Sequence, residues 1–450
     1  MRPIRYSDEM NSSQLISDGK NTMRDFPYWW EAAPRPVLED RALPTGVQVA
    51  IIGAGYSGLN AALVLARNGI KVAVFEAGQI GCGASTLNGG MVGPSFHKLG
   101  VAGLKHKFGS DRANAILKES LGFVDYLEEF LAEEKIEADF ARVGRFRGAL
   151  KPSHFDSMAA ELDILKLTIG VKGEMVHQKD QVLETGSRLF CGGIVYHDDA
   201  GLHPGKYHDG LVQRVREAGA EIFSETKVID FIKAGAGFVL TTNRGGVRQE
   251  VKAGQVAVCT NGYTGRTTPA LRRRVLPLRS AMIATEQLAP ELISRLMPKQ
   301  RLYGDSRRLV AYYRPSPDGT RILFGGRASG LKDNPEVNAR ELKQSLVQVY
   351  PELKTVGMSH VWSGLVAYTF DHAPHLGQFD GAYYAMGYCG SGVARSSYFG
   401  RKLGFKMLGS PEGTTSFDDL DFVTHPLYFG DPWFMPWVLG WHRIADRLGW

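Results

Sequence analysis

Residues 47–76, VQVAIIGAGYSGLNAALVLARNGIKVAVFE, decide the fold. The run 47–52 is apolar almost throughout, as in a strand buried on both faces. Residues 57–68 space their apolar side chains as a helix does, and 71–76 again reads as a strand. Between the first strand and the helix stands G-x-G-x-x-G, at Gly53, Gly55 and Gly58. The first glycine turns the chain, the second admits a pyrophosphate against the backbone, and the third lets helix and sheet approach. A diphosphate then rests on the positive end of the helix, beside Tyr56 and Ser57. Glu76, followed by Ala77, closes the second strand where an acid accepts hydrogen bonds from an adenosine ribose and disfavours a 2′-phosphate. All these parts arrive in register, so the stretch is a dinucleotide site, with FAD and NAD both open at this point.

The chain has 450 residues, enough for two or three domains, and its 44% apolar content is that of an ordinary globular protein. The net charge of +6 is dispersed, with Arg272, Arg273 and Arg274 the longest cluster, which argues against nucleic-acid binding. Cys82, Cys191, Cys259 and Cys389 show neither C-x-x-C pairing nor His spacing, so no metal site and no disulfide framework are expected. Reduced thiols and a cytoplasmic location are the default. The start lacks the apolar core of a secretory signal, and no run approaches the ~20 apolar residues of a membrane helix, so no integral membrane segment is expected. Residues 1–45 form an arm, polar and then aromatic through Phe26-Pro27-Tyr28-Trp29-Trp30, expected to lie across the folded body. The tail 411–450, with apolar Pro432 to Trp441, is expected to pack on the body or on a second subunit, a homo-oligomer being open.

Residues 78–90 are too glycine-rich for a helix and well supplied with backbone N–H donors, as suits a loop wrapped around a ligand. Helical periodicity returns over 111–133 and about 154–168, with an apolar stretch at 143–150 between them. A helix over 207–218 precedes extended pieces at 221–232, a hairpin of 238–242 with 247–251, and a buried strand 255–259 leading into Thr260 and Asn261. A hairpin inserted between central strands favours FAD over NAD. Strands at 279–285, 309–313 and 321–324 and a helix over 338–349 make a second mixed segment. The strand 382–386 then enters Gly387-Tyr388-Cys389-Gly390-Ser391-Gly392 and a helix over 393–408, a second place where glycines open a helix. Both ends of the chain therefore serve one ligand.

These motifs resemble the FAD-dependent amine oxidoreductases of the D-amino-acid oxidase superfamily, and within it the gamma-glutamylputrescine oxidases. The likeness lies in the fingerprint with Glu76, the loop Gly83-Ala84-Ser85 to Asn88-Gly89-Gly90, Cys259 to Thr264, Phe324-Gly325-Gly326-Arg327, Trp362-x-Gly364 with Thr369-x-Asp371, and the closing Gly387-Tyr388-x-Gly390-x-Gly392. It spans about residues 26–450. It implies an α/β fold: a Rossmann-type FAD domain, glutathione-reductase-like, interleaved with an α+β substrate domain on a mixed sheet. The FAD domain is expected at 46–105, 201–270 and 359–410, and the substrate domain at 106–200 and 271–358.

By position, the resemblance gives the ADP half of a non-covalent FAD to Gly53, Gly55, Gly58 and Glu76, and a backbone contact with adenine to Val228. It gives the ribityl and ring side to Ala84, Ser85, Asn88, Gly89 and Gly90, and the pyrimidine edge to Gly390, Ser391, Gly392 and Val393. Thr260, Asn261 and Gly364 complete the set. Two departures stand out. The putrescine-type loop usually carries an arginine, where this chain has Thr86-Leu87-Asn88, and Ala394 stands where sarcosine oxidases hold a carboxylate with lysine, which argues against sarcosine.

The implied reaction is hydride transfer from a C–H beside an amine nitrogen to the flavin, giving an imine that hydrolyses to an aldehyde or keto acid. A dry pocket that keeps the amine neutral replaces a dedicated base. Arg327, Tyr312, Tyr368 and His372 are the candidate catalytic residues, with Tyr313 and Trp362 as further pocket candidates. Core packing competes for each aromatic, and a turn role for His372. Oxygen is the expected acceptor, with a dehydrogenase that passes electrons to a quinone or another carrier as the alternative. Two rivals remain at this point: a nicotinamide-dependent dehydrogenase and a non-enzymatic flavin-binding protein.

Overall fold

Hydrogen bonding divides the strands between two large sheets. The computed structural model describes residues 15–17, 22–94, 99–327, 333–435, 437, 438, 440 and 441. The side chain of Arg327, most of the first 21 residues and residues 442–450 lie outside the described set. One sheet has a parallel centre in which Glu221–Phe223, Val72–Phe75, Gly46–Ile52, Val247–Val258 and Ala382–Met386 lie side by side. Four residues of Gly46–Ile52 and all of Val72–Phe75 are buried, as strands covered on both faces must be.

The hairpin and the buried strand expected at 247–251 and 255–259 form one continuous strand, Val247–Val258. Its first half pairs antiparallel with Gly237–Arg244 and its second half parallel with Gly46–Ile52. Gly254 allows this passage, because a Cβ there would stand 2.9 Å from the Gln48 carbonyl oxygen. The mixed sheet thus arises from one strand shared by two pairings.

The second sheet has ten strands among the described residues and includes Met358–Tyr368, Leu276–Thr285, Ile322–Arg327, Tyr312–Pro315 and Leu302–Asp305 in that order. Residues 359–410, expected as one piece of the FAD domain, therefore divide: Met358–Tyr368 pairs with Leu276–Thr285 along its length, whereas Ala382–Met386 joins the parallel sheet. The extended piece expected at 309–313 is shifted, the strand being Tyr312–Pro315. The arm is paired as well as packed, since Leu15–Ser17 and Thr22–Arg24 extend the edge of this sheet and Trp29 and Trp30 are buried.

Two helices bring the ends of the chain together. Tyr56–Arg67 and Gly392–Met407 touch through glycines: a Cβ on Gly400 would collide with the Ser57 carbonyl oxygen, and one on Gly404 would stand 2.8 Å from Val64 Cβ. Tyr388 Oη and Ser57 Oγ, 2.6 Å apart, join the approaches to both helices. The tail docks through buried Tyr428 and Met435, while Trp433, Trp437 and Trp441 stay 60%, 79% and 54% exposed. No helix among the described residues is long and apolar enough to cross a membrane.

Candidate active site

The glycine turn has the shape its sequence implies. Gly53 has φ of +106°, and a Cβ on Gly58 would strike the Gly53 carbonyl oxygen, so helix and strand meet without a side chain between them. Glu76 accepts from the N–H of Ala54 at 2.9 Å and of Gly78 at 3.1 Å, which aims its carboxylate across the turn. Burial pushes this carboxyl up from its ordinary value, and the backbone donors oppose the shift. The strand Thr226–Ala234 is fastened alongside, where Thr226 N–H donates to the Glu76 carbonyl at 2.7 Å. Val228 is buried in that strand with its carbonyl accepting from Thr267 Oγ1 at 3.2 Å. Ala77 is exposed and Ala84 half-buried.

Tyr56 and Ser57 bring main-chain groups to the helix start, but their side chains are used elsewhere. Tyr56 stacks on Tyr207 with centroids 4.5 Å apart and donates to the Pro204 carbonyl at 3.0 Å, and Ser57 is held by Tyr388. Their N-terminal placement therefore leaves only backbone for a ligand. Ser85 Oγ accepts from the Tyr56 N–H at 3.0 Å, fixing the long loop against that helix end.

The loop is knotted by Asn88. Its amide donates to the carbonyls of Ala84 and Ser85 at 3.0 and 2.9 Å, and its oxygen accepts from Gly90 N–H at 2.8 Å. Three indoles hold it from outside: Trp29 Nε1 donates to the Asn88 carbonyl at 2.8 Å, Trp30 Nε1 to Thr86 Oγ1 at 3.1 Å and Trp362 Nε1 to the Leu87 carbonyl at 3.2 Å. Neither arm tryptophan was legible as a loop anchor, since an N-terminal aromatic carries no signal of its partner.

The ten-stranded sheet presents one face to this loop. A Cβ on Gly364 would stand 3.0 Å from Leu87 Cβ, and one on Gly89 3.2 Å from the Tyr312 ring. Tyr312 lies over Gly325 and its hydroxyl meets Ser280 Oγ at 2.9 Å. Ser280 pairs with Arg327 in the backbone register, so Arg327 ends its strand beside this hydroxyl pair. Tyr313 points the other way. It stacks on Tyr303 and Phe324 in the core, because alternate strand residues face opposite sides, and the pocket role considered for it is corrected.

At the far end, Thr260 Oγ1 pairs with Thr264 Oγ1 at 2.8 Å, and Asn261 Oδ1 accepts from Gly387 N–H at 2.9 Å, tying two strand ends together. Gly390, with φ of +91°, places its backbone under the Tyr368 hydroxyl, 3.1 Å from where a Cβ would sit. Ser391 stands at the N-cap position of the helix that starts at Gly392 without a capping bond from its side chain, and Val393 is buried. His372 has φ of +59° in a turn and packs edge-on to Tyr368. The buried pair in this turn is instead Asp371 with His375, at 3.1 Å. Burial pushes the Asp371 carboxyl up, but the His375 bond and charge outweigh it and hold the group low.

The site also contains a cation that sequence reasoning passed over. Arg314 is 7% exposed, and its guanidinium donates to the carbonyls of Gly90, Leu202 and Pro315 at 2.8, 3.0 and 3.1 Å. Burial pulls it down to about 10. In sequence it is merely the polar neighbour of Tyr313.

Two helix starts, an aimed carboxylate and a braced loop thus line one end of the parallel sheet. The sequence profile described as FAD dependent oxidoreductase matches residues 48–404. The chain belongs to this family. It is an FAD-dependent oxidoreductase, and the nicotinamide-dependent and non-enzymatic alternatives fall. The chain is 30% identical to the probable oxidoreductase OrdL of Rhizobium meliloti (strain 1021), over 93% of this chain and 97% of that one. It is 27% identical to the gamma-glutamylputrescine oxidoreductase of Escherichia coli (strain K12), over 89% and 93%. The crystal structure of glycine oxidase from Geobacillus kaustophilus shares the fold with a TM-score of 0.68 at 19% identity, covering 85% of this chain and 99% of that one.

The residues fit FAD. Glu76 has two of its lone-pair directions taken by backbone N–H groups, leaving about two for ribose hydroxyls. The turn itself carries no side chain, since a Cβ on Gly53 would stand 2.9 Å from the Cys259 carbonyl oxygen and one on Gly58 would strike that of Gly53, so only backbone separates strand from helix where a diphosphate would rest. Among the described residues no group of acids, histidines and cysteines forms a metal site, and the four cysteines are unbridged.

Proposed function

We propose that the protein oxidises a C–N bond of a primary or secondary amine, of the gamma-glutamylputrescine or N-substituted amino-acid kind, giving an imine that hydrolyses to an aldehyde or keto acid. The observation that carries this reading is the sheet face of Trp362, Met282 and Tyr312 set against the loop Ala84 to Gly90. FAD, when bound, supplies the hydride acceptor. The chain supplies a poorly hydrated wall that favours a neutral amine, so no protein base is required. The name of the Escherichia coli relative supports the substrate class.

Within this reading Arg327 holds an anionic end of the substrate, since it ends the strand beside Ser280 and Tyr312 and offers bidentate geometry. Tyr368 and His372 close the pocket near Gly390. The domain limits proposed are those above, with Met358–Tyr368 transferred to the substrate sheet. The acceptor is oxygen, a quinone or another carrier. Leu323 is fully buried among Tyr28, Trp29 and Trp30 and brings no cation to stabilise superoxide, which supports a slow reaction with oxygen.

The test is an anaerobic screen of amines, N-methyl amino acids and gamma-glutamyl amines, following bleaching of the flavin band. Bleaching by none of them refutes the reading. With a substrate in hand, Arg327→Ala should weaken carboxylated amines far more than neutral ones, and equal losses would make Arg327 structural.

A further inference from the structure

A buried guanidinium without an anionic partner is expensive, because a desolvated charge needs a countercharge or a full set of hydrogen bonds. Arg314 is such a group: among the described residues no carboxylate comes within ion-pair distance of it. Asp139 acts on it only through space, and that carboxylate is already paired with Lys206 at 2.9 Å. The side chain is nevertheless held rigidly. It lies in a slot between two glycines, where a Cβ on Gly90 would stand 3.0 Å from Nη1 and one on Gly201 2.8 Å from the same atom. It projects from the face of Tyr312–Pro315 that also carries Tyr312, directly across from Leu323. Its bond to the Gly90 carbonyl, 2.8 Å, places the charge on the loop that the resemblance gives to the flavin ring.

That loop lacks the arginine its relatives carry, with Leu87 in the corresponding stretch. We propose that Arg314, reaching in from the substrate sheet, is the positive charge of the flavin site and takes the place of the missing loop arginine. It positions the loop through Gly90 and stabilises the charge that arises on reduction. The balance is simple. A hydride, one proton and two electrons, leaves the carbon beside the nitrogen of a neutral amine, which becomes an iminium cation and gives the imine on releasing its N–H proton, while bound FAD, as acceptor, would carry one negative charge. Arg314 is then a buried cation with an anion to face. The inference rests on the FAD reading and not on any particular amine.

The test compares Arg314→Gln with Arg314→Lys in the FAD-loaded protein. The midpoint potential of the bound flavin is measured against a reference dye, and sulfite affinity is measured alongside, because sulfite addition also places a negative charge on the oxidised flavin. Arg314→Gln should lower the two-electron reduction equilibrium at least about tenfold, a fall of about 30 mV, and weaken sulfite to a similar degree. Arg314→Lys keeps the charge but loses the fork, and should stay within about threefold of the parent. Should Arg314→Gln not fold, Gly201→Ala displaces the guanidinium without removing it and should shift the potential the same way by less. Unchanged potential in Arg314→Gln, equal falls in Gln and Lys variants, or an unmoved potential in Gly201→Ala would each overturn the assignment. A parent protein that binds no FAD would instead overturn the cofactor reading itself.

Discussion

Replacing Glu76 by alanine tests the cofactor site at its most specific point. The carboxylate already accepts from the N–H groups of Ala54 and Gly78, at 2.9 and 3.1 Å, so its two oxygens retain about two acceptor directions for ribose hydroxyls. A hydrogen bond to a charged acceptor contributes about 1.5–3 kcal/mol. Loss of even one such bond therefore weakens FAD by about 10- to 150-fold, since each 1.4 kcal/mol is tenfold. The assay is titration of apoprotein with FAD, following quenching of flavin fluorescence, beside the melting temperature of the apoprotein. Glu76→Ala should purify with little flavin, and Glu76→Gln, which keeps an acceptor without the charge, should fall between it and the parent. Full occupancy and unchanged affinity in Glu76→Ala would refute the ribose assignment. A lower apoprotein melting temperature with unchanged affinity would make Glu76 a brace for the turn.

Acid precipitation should leave the yellow colour in the supernatant, because the resemblance implies a non-covalent FAD; a yellow pellet after washing contradicts this. Photoreduced enzyme mixed with aerated buffer should regain its flavin band more slowly than a lysine-bearing homologue measured alongside, and equal rates would refute the role given to buried Leu323. Gly400→Val should destabilise strongly, by about 2 kcal/mol or more, because its side chain would meet the Ser57 backbone and force the two helices apart; chemical denaturation with an unchanged midpoint would show that the helices adjust freely. Burial, with Asp333 and Glu336 nearby, pushes Asp25 up to about 6. The folded arm then binds more protons than the unfolded chain between about pH 4 and 6, so this stabilisation is present at acid pH and lost as pH rises through 6. Asp25→Asn should therefore raise the melting temperature at pH 7.5 by about 1–2 °C and have little effect at pH 4, and the opposite order would refute the sign.

The sequence alone determined the nucleotide half of the protein. Its parts are local: a buried strand, glycines at fixed spacing, a helix and an acid lie within residues 47–76, and the short-range sterics of Gly53 and Gly58 act over a few bonds. The strand Ala382–Met386 and the helix after Gly392 were legible for the same reason. Tertiary structure decided what depends on partners distant in sequence. Strand alternation made Tyr312 and Tyr313 equivalent candidates until the register put Tyr312 over Gly325 and Tyr313 in the core. Trp29 and Trp30 became anchors only when the arm met a loop more than 50 residues away. Arg314 became the buried cation of the site only because Gly90 and Gly201, 224 and 113 residues before it in the chain, leave a slot of guanidinium size. Burial and charge pairing are properties of space rather than of spacing, and no periodicity in the chain records them.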